Sequence, residues 1–222
     1  MERPHIHREK TRTLLDCRFL RVYDIDYDQD RHYYSASRRT QEDTVFMKSD
    51  AEFHDMLPDA VTLVVILENT PRGACLLLSE EYRYPMGQFL LSPPAGLMDP
   101  EDREKPEPLL ETARRELREE TGLEVRDGDE LRVLSPLLFS SPGLTDESNG
   151  LVLAVLRGDH GPLDQTGAVG SECFDGYRLL NREEAMQVLT SGRDDAGRFY
   201  SIYTWAALSV FVSGAWKEGE HA

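Results

Sequence analysis

The segment at residues 115–123, RELREETGL, constrains the fold and the chemistry of this chain more than any other. An α-helix turns about 100° per residue, so Glu116, Glu119 and Glu120 would project from one helix face. Two like charges about 4 Å apart repel by about 4 kcal/mol at an effective dielectric of about 20. A half-buried cluster of this kind needs compensation, and hard divalent cations suit carboxylate oxygens. The alternative is an ordinary solvated helix face on which arginines pair with the glutamates.

Local signals mark the ends of two helices. Pro108 suits the first turn of the glutamate-bearing helix, and Gly122 is placed to end it in a left-handed conformation. A second helix is predicted to begin at Asn181, which can cap it while Glu184 completes a capping box.

The rest of the main part of the chain mixes strands with few helices. Apolar stretches predict strands at residues 61–67, 74–79, 131–139, 151–156 and 177–180. A third, apolar helix is predicted over roughly residues 200–212, with Trp205 in the core. Strands mixed with a few helices predict a sheet sandwiched between helices.

Residues 1–55 are predicted to form a small β-sheet extension, and residues 56–222 the main domain. Residues 14–27 alternate like a strand, residues 28–30 form a polar turn, and residues 32–37 read as the returning strand. Such a sheet has too little apolar content to be stable alone. We therefore expect it to pack on the main domain or on a second subunit.

Charge and hydropathy exclude several classes of function. The chain has 41 acidic and 25 basic side chains and a net charge of -16, which disfavours binding to nucleic acid. A small anionic substrate would meet the same repulsion, so it would need local arginines or bound cations. The longest apolar run, residues 61–67, is far shorter than the about 20 residues that cross a bilayer. No apolar stretch follows the basic N-terminus, so we expect no signal peptide, no membrane partner and a cytoplasmic location.

The cysteines give no sign of a disulfide framework or a zinc site. Cys17, Cys75 and Cys173 are odd in number and far apart. We expect them to be reduced packing residues.

The glutamate cluster is part of a longer pattern. The matching residues are Glu107, then after seven residues Arg115, Glu116 and Leu117, then after one residue Glu119 and Glu120, then after one residue Gly122 and Leu123. This pattern resembles the Nudix box, G-x5-E-x7-R-E-U-x-E-E-x-G-U, where U is a bulky apolar residue. The departure lies upstream, because ten residues, LMDPEDREKP, separate Gly96 from Glu107 where the pattern has five. We interpret this as a five-residue insertion in the loop before the helix, which a loop tolerates at little cost.

The resemblance to Nudix hydrolases implies a metal site. In that family the helix glutamates bind two or three Mg²⁺ ions that bridge a substrate diphosphate, which makes Glu116 and Glu120 the main metal ligands here. Glu119 would be a further ligand or a water-activating residue, and Arg115 would orient a glutamate. Ala95 would lend its backbone carbonyl to a metal. The metals would neutralise the diphosphate and activate a water.

Two further segments resemble the ADP-ribose pyrophosphatase branch of this family. Residues 80–99 resemble its QYRYP-like strand and ELPAG-like turn, which singles out Arg83 for substrate binding; Ser92 stands where that branch usually has Glu. Residues 140–148, SSPGLTDES, resemble its loop beside the terminal ribose. There Gly143 would form a turn and Glu147 would accept hydrogen bonds from sugar hydroxyls.

Two more features of that branch have counterparts here. The loop at residues 165–174 matches in location one that brings a catalytic glutamate, so Glu172 is a candidate general base; Glu147, Glu119 and Asp175 are the alternatives. The N-terminal sheet is exchanged between subunits of a homodimer in that branch. Arg38 matches in position an arginine that contacts the nucleotide across the dimer, although a surface basic pair would look the same.

The resemblance therefore implies an α/β fold, a Nudix α/β/α sandwich with a mixed sheet and an N-terminal antiparallel β extension, in a homodimer. The implied reaction is hydrolysis of ADP-ribose to AMP and ribose 5-phosphate with Mg²⁺ or Mn²⁺. A UDP- or GDP-sugar stays an alternative substrate, because no residue identifies the base. A catalytically silent, ligand-sensing regulator is an alternative of another class, which the complete set of box glutamates disfavours.

Overall fold

The computed structural model describes residues 4–164 and 173–217. The chain divides into two compact units, one of residues 1–59 with 137–149 and one of residues 60–136 with 150–222. Within the described residues, no helix is long and apolar enough to cross a membrane.

The first unit contains the predicted antiparallel sheet. Its strands are β1 (Arg12–Asp16), β2 (Arg21–Tyr27) and β3 (Arg31–Ser37), in the order β1-β2-β3. The single strand predicted at residues 14–27 is wrong, because the chain turns back between β1 and β2. The polar turn is confirmed, since Asp28 and Asp30 adopt positive φ angles of 48° and 53°.

Short helical turns and one longer loop complete the first unit. The turns are 3-10 helices at Arg8–Lys10, Gln41–Asp43 and Val45–Met47 and the helix α1 (Asp50–His54). Ser49 caps α1 through a capping box with Glu52. Residues 137–149 also belong to this unit, and at their start Phe139 stacks on Phe53 with ring centroids 6.1 Å apart.

The second unit is built on a seven-stranded sheet. Its strands are β4 (Ala60–Thr70), β5 (Gly73–Arg83), β6 (Gln88–Ser92), β7 (Ala95–Leu97), β8 (Glu130–Phe139), β9 (Ser148–Leu156) and β10 (Phe174–Asn181). The order is β10-β5-β4-β9-β8, with β6 paired to β5 and β7 paired to β4. The five strands predicted from apolar runs are confirmed, and each extends further than predicted. The short strands β6 and β7 were not predicted.

The helices of this unit cover the sheet. They are α2 (Pro100–Arg103), α3 (Pro108–Thr121), α4 (Arg182–Ser191) and α5 (Ile202–Ser213). The helix α3 packs on β4 and β7, while α5 packs on β4, β5 and β6. Residues on both faces of β4 are buried, from Ala60 to Ile66, as expected for a strand covered on both sides. The predicted α/β class with an antiparallel N-terminal sheet is confirmed.

Some predictions about single side chains are wrong. Trp205 is 50% exposed rather than in the core, because α5 turns this residue to the surface. All three cysteines are free, but only Cys75 is a buried packing residue; Cys17 and Cys173 are exposed.

Candidate active site

The helix α3 has the ends that its sequence predicts. Pro108 occupies the first turn, and Gly122 ends the helix with a φ of 70° while its N–H donates to the carbonyl of Arg118. Ala113 and Leu117 are fully buried in the core. Glu116 and Glu120, one turn apart, are each only 5% exposed. The helix therefore holds two carboxylates in a largely buried position, which is costly unless they are compensated.

The short strand β7 lies against these two carboxylates. The backbone N–H of Ala95 donates to Oε1 of Glu120 at 3.3 Å. At Gly96 the carboxylate of Glu116 comes so close that an added Cβ would lie 2.0 Å from its Oε1. Because β7 pairs with the buried strand β4, this approach is fixed by the core of the unit.

All five N–H donors of Arg115 have acceptors, which lie on α3, on α2 and on the backbone of Leu97. Its Nη1 donates to Oε1 of Glu116 at 2.6 Å and to Oε2 of Glu119 at 3.1 Å. Its Nε and Nη2 donate to Oδ2 of Asp102 at 3.1 and 3.0 Å, and Nη2 also donates to the carbonyl of Leu97 at 2.8 Å. Burial by itself lowers the pKa of Arg115, but the charges and hydrogen bonds of Glu116 and Asp102 outweigh it and raise this pKa above its ordinary value.

Carboxylates outnumber cations around this side chain. The guanidinium of Arg115 faces Glu116, Glu119 and Asp102, and its Nε lies 3.5 Å from the carboxylate of Asp99. Buried carboxylate oxygens whose negative charge exceeds the nearby positive charge suit a hard divalent cation as ligands. Among the described residues, no three acidic, histidine or cysteine side chains form a ready-made metal cluster. The two buried glutamates nevertheless suit Mg²⁺, which is commonly held by one or two carboxylates and completes its shell with waters and substrate phosphates.

Asp102 is a site residue that the sequence analysis missed. It lies in α2, within the ten residues that separate Gly96 from Glu107. Glu107, which the sequence analysis assigned to the box, is exposed and precedes α3 without capping it through its side chain. The signal that would have found Asp102 is its spacing, because five residues separate it from Gly96, as in the family pattern.

The last turn of α3 is held by two groups from outside the helix. The hydroxyl of Tyr177, on β10, donates to the backbone carbonyl of Glu120 at 2.6 Å. The backbone N–H of Asp164 donates to the carbonyl of Thr121 at 2.9 Å. Burial, and then the charges of Asp164 and Glu120, raise the pKa of the Tyr177 hydroxyl, which keeps it a donor. These contacts satisfy carbonyls that a helix end leaves without a partner inside the helix.

The remaining predicted residues of the second unit are not brought into this network by any described contact. Arg83 ends β5, is about half exposed, and forms an ion pair with Glu81 at 2.6 Å. Asp175 lies on β10. Glu172 lies outside the described residues.

Each predicted substrate-binding residue of the first unit has a contact within that unit. The Nε of Arg38 donates to Oε1 of Glu147 at 2.6 Å, and both side chains are partly exposed. The hydroxyl of Tyr33 donates to the carbonyl of Gly143 at 2.7 Å. The structure therefore pairs Arg38 with Glu147, which the sequence analysis treated separately.

Comparisons with known proteins agree with the pattern on α3. Residues 56–202 match the NUDIX domain family. An ADP-sugar pyrophosphatase of Mus musculus is 37% identical over 101 residues, which are 46% of this chain and 42% of that protein. A putative nudix hydrolase 2 of Caenorhabditis elegans is 38% identical over 140 residues, which are 63% of this chain and 57% of that protein. The matched parts thus span about half the length of these curated relatives.

A solved structure resembles the whole chain in fold. The crystal structure of an ADP compounds hydrolase has a TM-score of 0.60 and 21% identity, over 100% of this chain and 97% of that one.

Proposed function

Because this chain belongs to the NUDIX family, we propose that it hydrolyses the pyrophosphate bond of ADP-ribose or a related nucleoside diphosphate sugar, with Mg²⁺ or Mn²⁺ as cofactor. Water would attack one phosphorus, the bridging P–O bond would break, and ADP-ribose would give AMP and ribose 5-phosphate. The similarity to the mouse ADP-sugar pyrophosphatase supports this choice of substrate class.

The observation that carries the proposal is the pair of buried carboxylates on α3. Glu116 and Glu120 are 5% exposed and one turn apart, in a setting where the guanidinium of Arg115 faces several carboxylates. A bound divalent cation would neutralise the diphosphate and make an attacking water more acidic. Glu116 and Glu120 would hold it, with Glu119 as a further ligand or as the group that accepts the proton of the water. The backbone carbonyl of Ala95 would be another ligand.

The roles of the other residues in the reaction follow from their chemistry. Arg115 would keep Glu116 and Glu119 oriented, since it donates to both. Arg83 would bind a substrate phosphate, for which a half-exposed guanidinium is suited. Glu172 stays a candidate general base, with Glu119, Glu147 and Asp175 as alternatives.

Substrate contacts are also proposed for the first unit. Glu147 would accept hydrogen bonds from sugar hydroxyls beside the turn at Gly143, and Arg38 would contact the nucleotide. Since Oε1 of Glu147 already accepts from Arg38, a sugar hydroxyl would bind the other carboxylate oxygen or displace the arginine.

The test is a substrate panel of ADP-ribose, UDP- and GDP-sugars, with and without Mg²⁺ or Mn²⁺, monitored by phosphate release after coupling to a phosphatase. We expect Glu120→Gln to lower turnover by at least about a hundredfold, the scale of removing one group that stabilises the transition state. Glu111→Gln is the matched control, because it removes the same charge from the same helix away from this site. A preference for another base would change the substrate assignment. Absence of hydrolysis throughout the panel, as in a silent sensor, would refute the proposal.

We also propose that the chain forms a homodimer through its N-terminal sheet. Large apolar side chains of this region are exposed in the single chain: Leu14, Leu15, Phe19, Leu20, Tyr33 and Tyr34. Monomeric proteins rarely leave such a group uncovered. A second copy of the same sheet would cover it. Light scattering after size exclusion should give twice the mass of the chain, and Leu14→Glu with Phe19→Glu should give the monomer; a monomeric wild type would refute this part.

A further inference from the structure

Two charged side chains at the end of β5 pair with each other. Glu81 and Arg83 are separated by one residue, so both project from the same face of the sheet. Nη2 of Arg83 lies 2.6 Å from Oε2 of Glu81. The side chain of Glu81 is only 13% exposed, whereas that of Arg83 is 46% exposed. The pair therefore fixes a half-exposed guanidinium to a largely buried carboxylate.

The pair lies on the face of the sheet that α3 covers. β5 pairs with β6 without a bulge from Ser79 to Arg83, so Ser79, Glu81 and Arg83 share one face. Ser79 lies opposite Tyr177 of β10, and opposite residues of an antiparallel pair point to the same side. The hydroxyl of Tyr177 reaches α3, where it donates to the carbonyl of Glu120. Arg83 is therefore on the same side of the sheet as the candidate metal site.

The backbone of Arg83 is already fixed by the turn between β5 and β6. The N–H groups of Met86 and Gly87 both donate to the carbonyl of Arg83 at 2.9 Å, and Gly87 adopts a positive φ of 62°. The freedom that remains lies in the arginine side chain. Within residues 4–164 and 173–217, Glu81 is the one group that the structure pairs with this guanidinium. Glu81 thus decides where the guanidinium points.

Glu81 is also a departure from the family pattern. The strand pattern QYRYP has glutamine where this chain has Glu81. An amide oxygen carries no net charge, so only the carboxylate adds ionic attraction to the contact with Arg83. The anchoring of this arginine by a charged partner is therefore a property of this chain.

We infer that Glu81 is a positioning residue for substrate binding, which holds the Arg83 guanidinium on the α3 side of the sheet ready for the substrate diphosphate. A free arginine side chain loses its rotamer freedom when it binds a phosphate, and an anchored one has lost it beforehand. The inference rests on the proposed function, in which Arg83 binds a substrate phosphate. Glu81 acts through Arg83 and needs no contact with the substrate.

The test compares substrate affinity in variants of the full chain. Steady-state hydrolysis of ADP-ribose with Mg²⁺ gives KM and kcat. Calorimetric titration with an ADP-ribose analogue, which has a methylene group in place of the bridging oxygen and cannot be hydrolysed there, gives Kd. We expect Glu81→Ala to raise KM and Kd by about fivefold, within the cost of immobilising one flexible side chain on binding, and to leave kcat nearly unchanged. Glu81→Gln should fall between Ala and wild type, because it keeps an acceptor but loses the charge.

Two controls separate positioning from a merely structural role. In an Arg83→Ala background, Glu81→Ala should cause no further loss of affinity, because its effect passes through Arg83. Asp195→Ala removes the partner of another strand arginine, Arg178, which neighbours Tyr177 and so points to the opposite face. This variant should bind the analogue like the wild type. If Glu81→Ala fails to fold, Glu81→Leu, which also lacks an acceptor but fills the space, takes its place.

The outcomes separate this inference from the proposed function. Unchanged or tighter binding in Glu81→Ala would overturn the inference, and so would additive losses in the double variant, an equal loss in Asp195→Ala or a wild type that does not bind the analogue. The expected losses of affinity in a chain that hydrolyses no nucleotide sugar would support the inference while refuting the proposed function. Hydrolysis of ADP-ribose with an unchanged KM in Glu81→Ala would do the reverse.

Discussion

A Cβ atom on Gly96 would lie 2.0 Å from Oε1 of Glu116, so the Glu116 carboxylate would have to move away from any side chain at this position. This close approach joins a strand of the sheet to a carboxylate of the candidate metal site. Residue 96 must therefore lack a side chain if Glu116 is to keep its place.

We predict that Gly96→Ala will cost activity more than stability. The methyl group would displace the Glu116 carboxylate, and a shift of about 1 Å in a catalytic group costs about a hundredfold in rate. Steady-state hydrolysis at saturating Mg²⁺ and thermal unfolding would be measured together. Normal turnover in this variant would mean that the position of Glu116 does not matter for the reaction.

Tyr177→Phe removes the hydroxyl that holds the last turn of α3. We expect a loss of about 1–3 kcal/mol in the free energy of unfolding, since a partly buried carbonyl loses its hydroxyl donor. The Mg²⁺ concentration for half-maximal activity should also rise, because that turn carries Glu120. Tyr200→Phe is the control, as its hydroxyl bonds to Val188 at 3.3 Å on another helix. An equal effect in both variants would argue against a special role of Tyr177.

The ion pair of Arg39 and Asp59 should contribute strongly to the stability of the first unit. The two groups are 2.9 Å apart and only 12% and 10% exposed, and Asp59 also accepts from the N–H and hydroxyl of Ser148. Asp59→Ala should destabilise by about 3–5 kcal/mol, because it leaves Arg39 buried without its partner. The free energies of unfolding of the wild type and the variant would be measured by urea denaturation. Asp16→Ala, which breaks the more exposed pair with Arg21, should cost under about 1 kcal/mol; a similar cost for Asp59→Ala would contradict the prediction.

Asp24 should give the first unit an acid-dependent stability. A hydrogen bond from His32 at 2.7 Å is the largest effect on the pKa of Asp24, and together with one from Arg12 it outweighs burial, which raises this pKa, so that the pKa lies below its ordinary 3.8. A lowered pKa contributes stability that is complete above 3.8 and is lost as the pH falls through the folded-state value. The stability difference between wild type and Asp24→Asn should thus stay constant from neutral pH down to about 3.8 and shrink below it.

Urea unfolding over a pH series, with Asp16→Asn measured in parallel, tests this expectation. A difference between wild type and Asp24→Asn that stays constant down to the most acidic pH would contradict it.

Local signals explain what the sequence predicted well. Pro108 and Gly122 fix the ends of α3, and the Asn181 capping box fixes the start of α4, because each acts within one helical turn. The alternating and apolar runs predicted most strands for the same reason.

The features that the sequence did not predict depend on contacts between distant parts of the chain. The placing of β10 beside β5, and of β7 beside β4, depends on pairing that no local pattern encodes. Counting the box backwards from Arg115 led to Glu107, whereas the side chain that bonds to Arg115 is Asp102. The exposure of Trp205 depends on which side of α5 the sheet covers.

Every N–H of the Arg115 guanidinium already has an acceptor, and those acceptors belong to α2, to the carbonyl of Leu97 and to two residues of α3. A lysine, with a compact charge and no fork, could not satisfy them together. Single substitutions of Asp102, Glu116 and Glu119 would each disturb the same guanidinium. The losses of activity or stability from the three single variants should therefore sum to more than the loss from removing all three side chains at once. Thermodynamic cycles, rather than a scan of one position at a time, are the proper way to divide the energy of this cluster among its members.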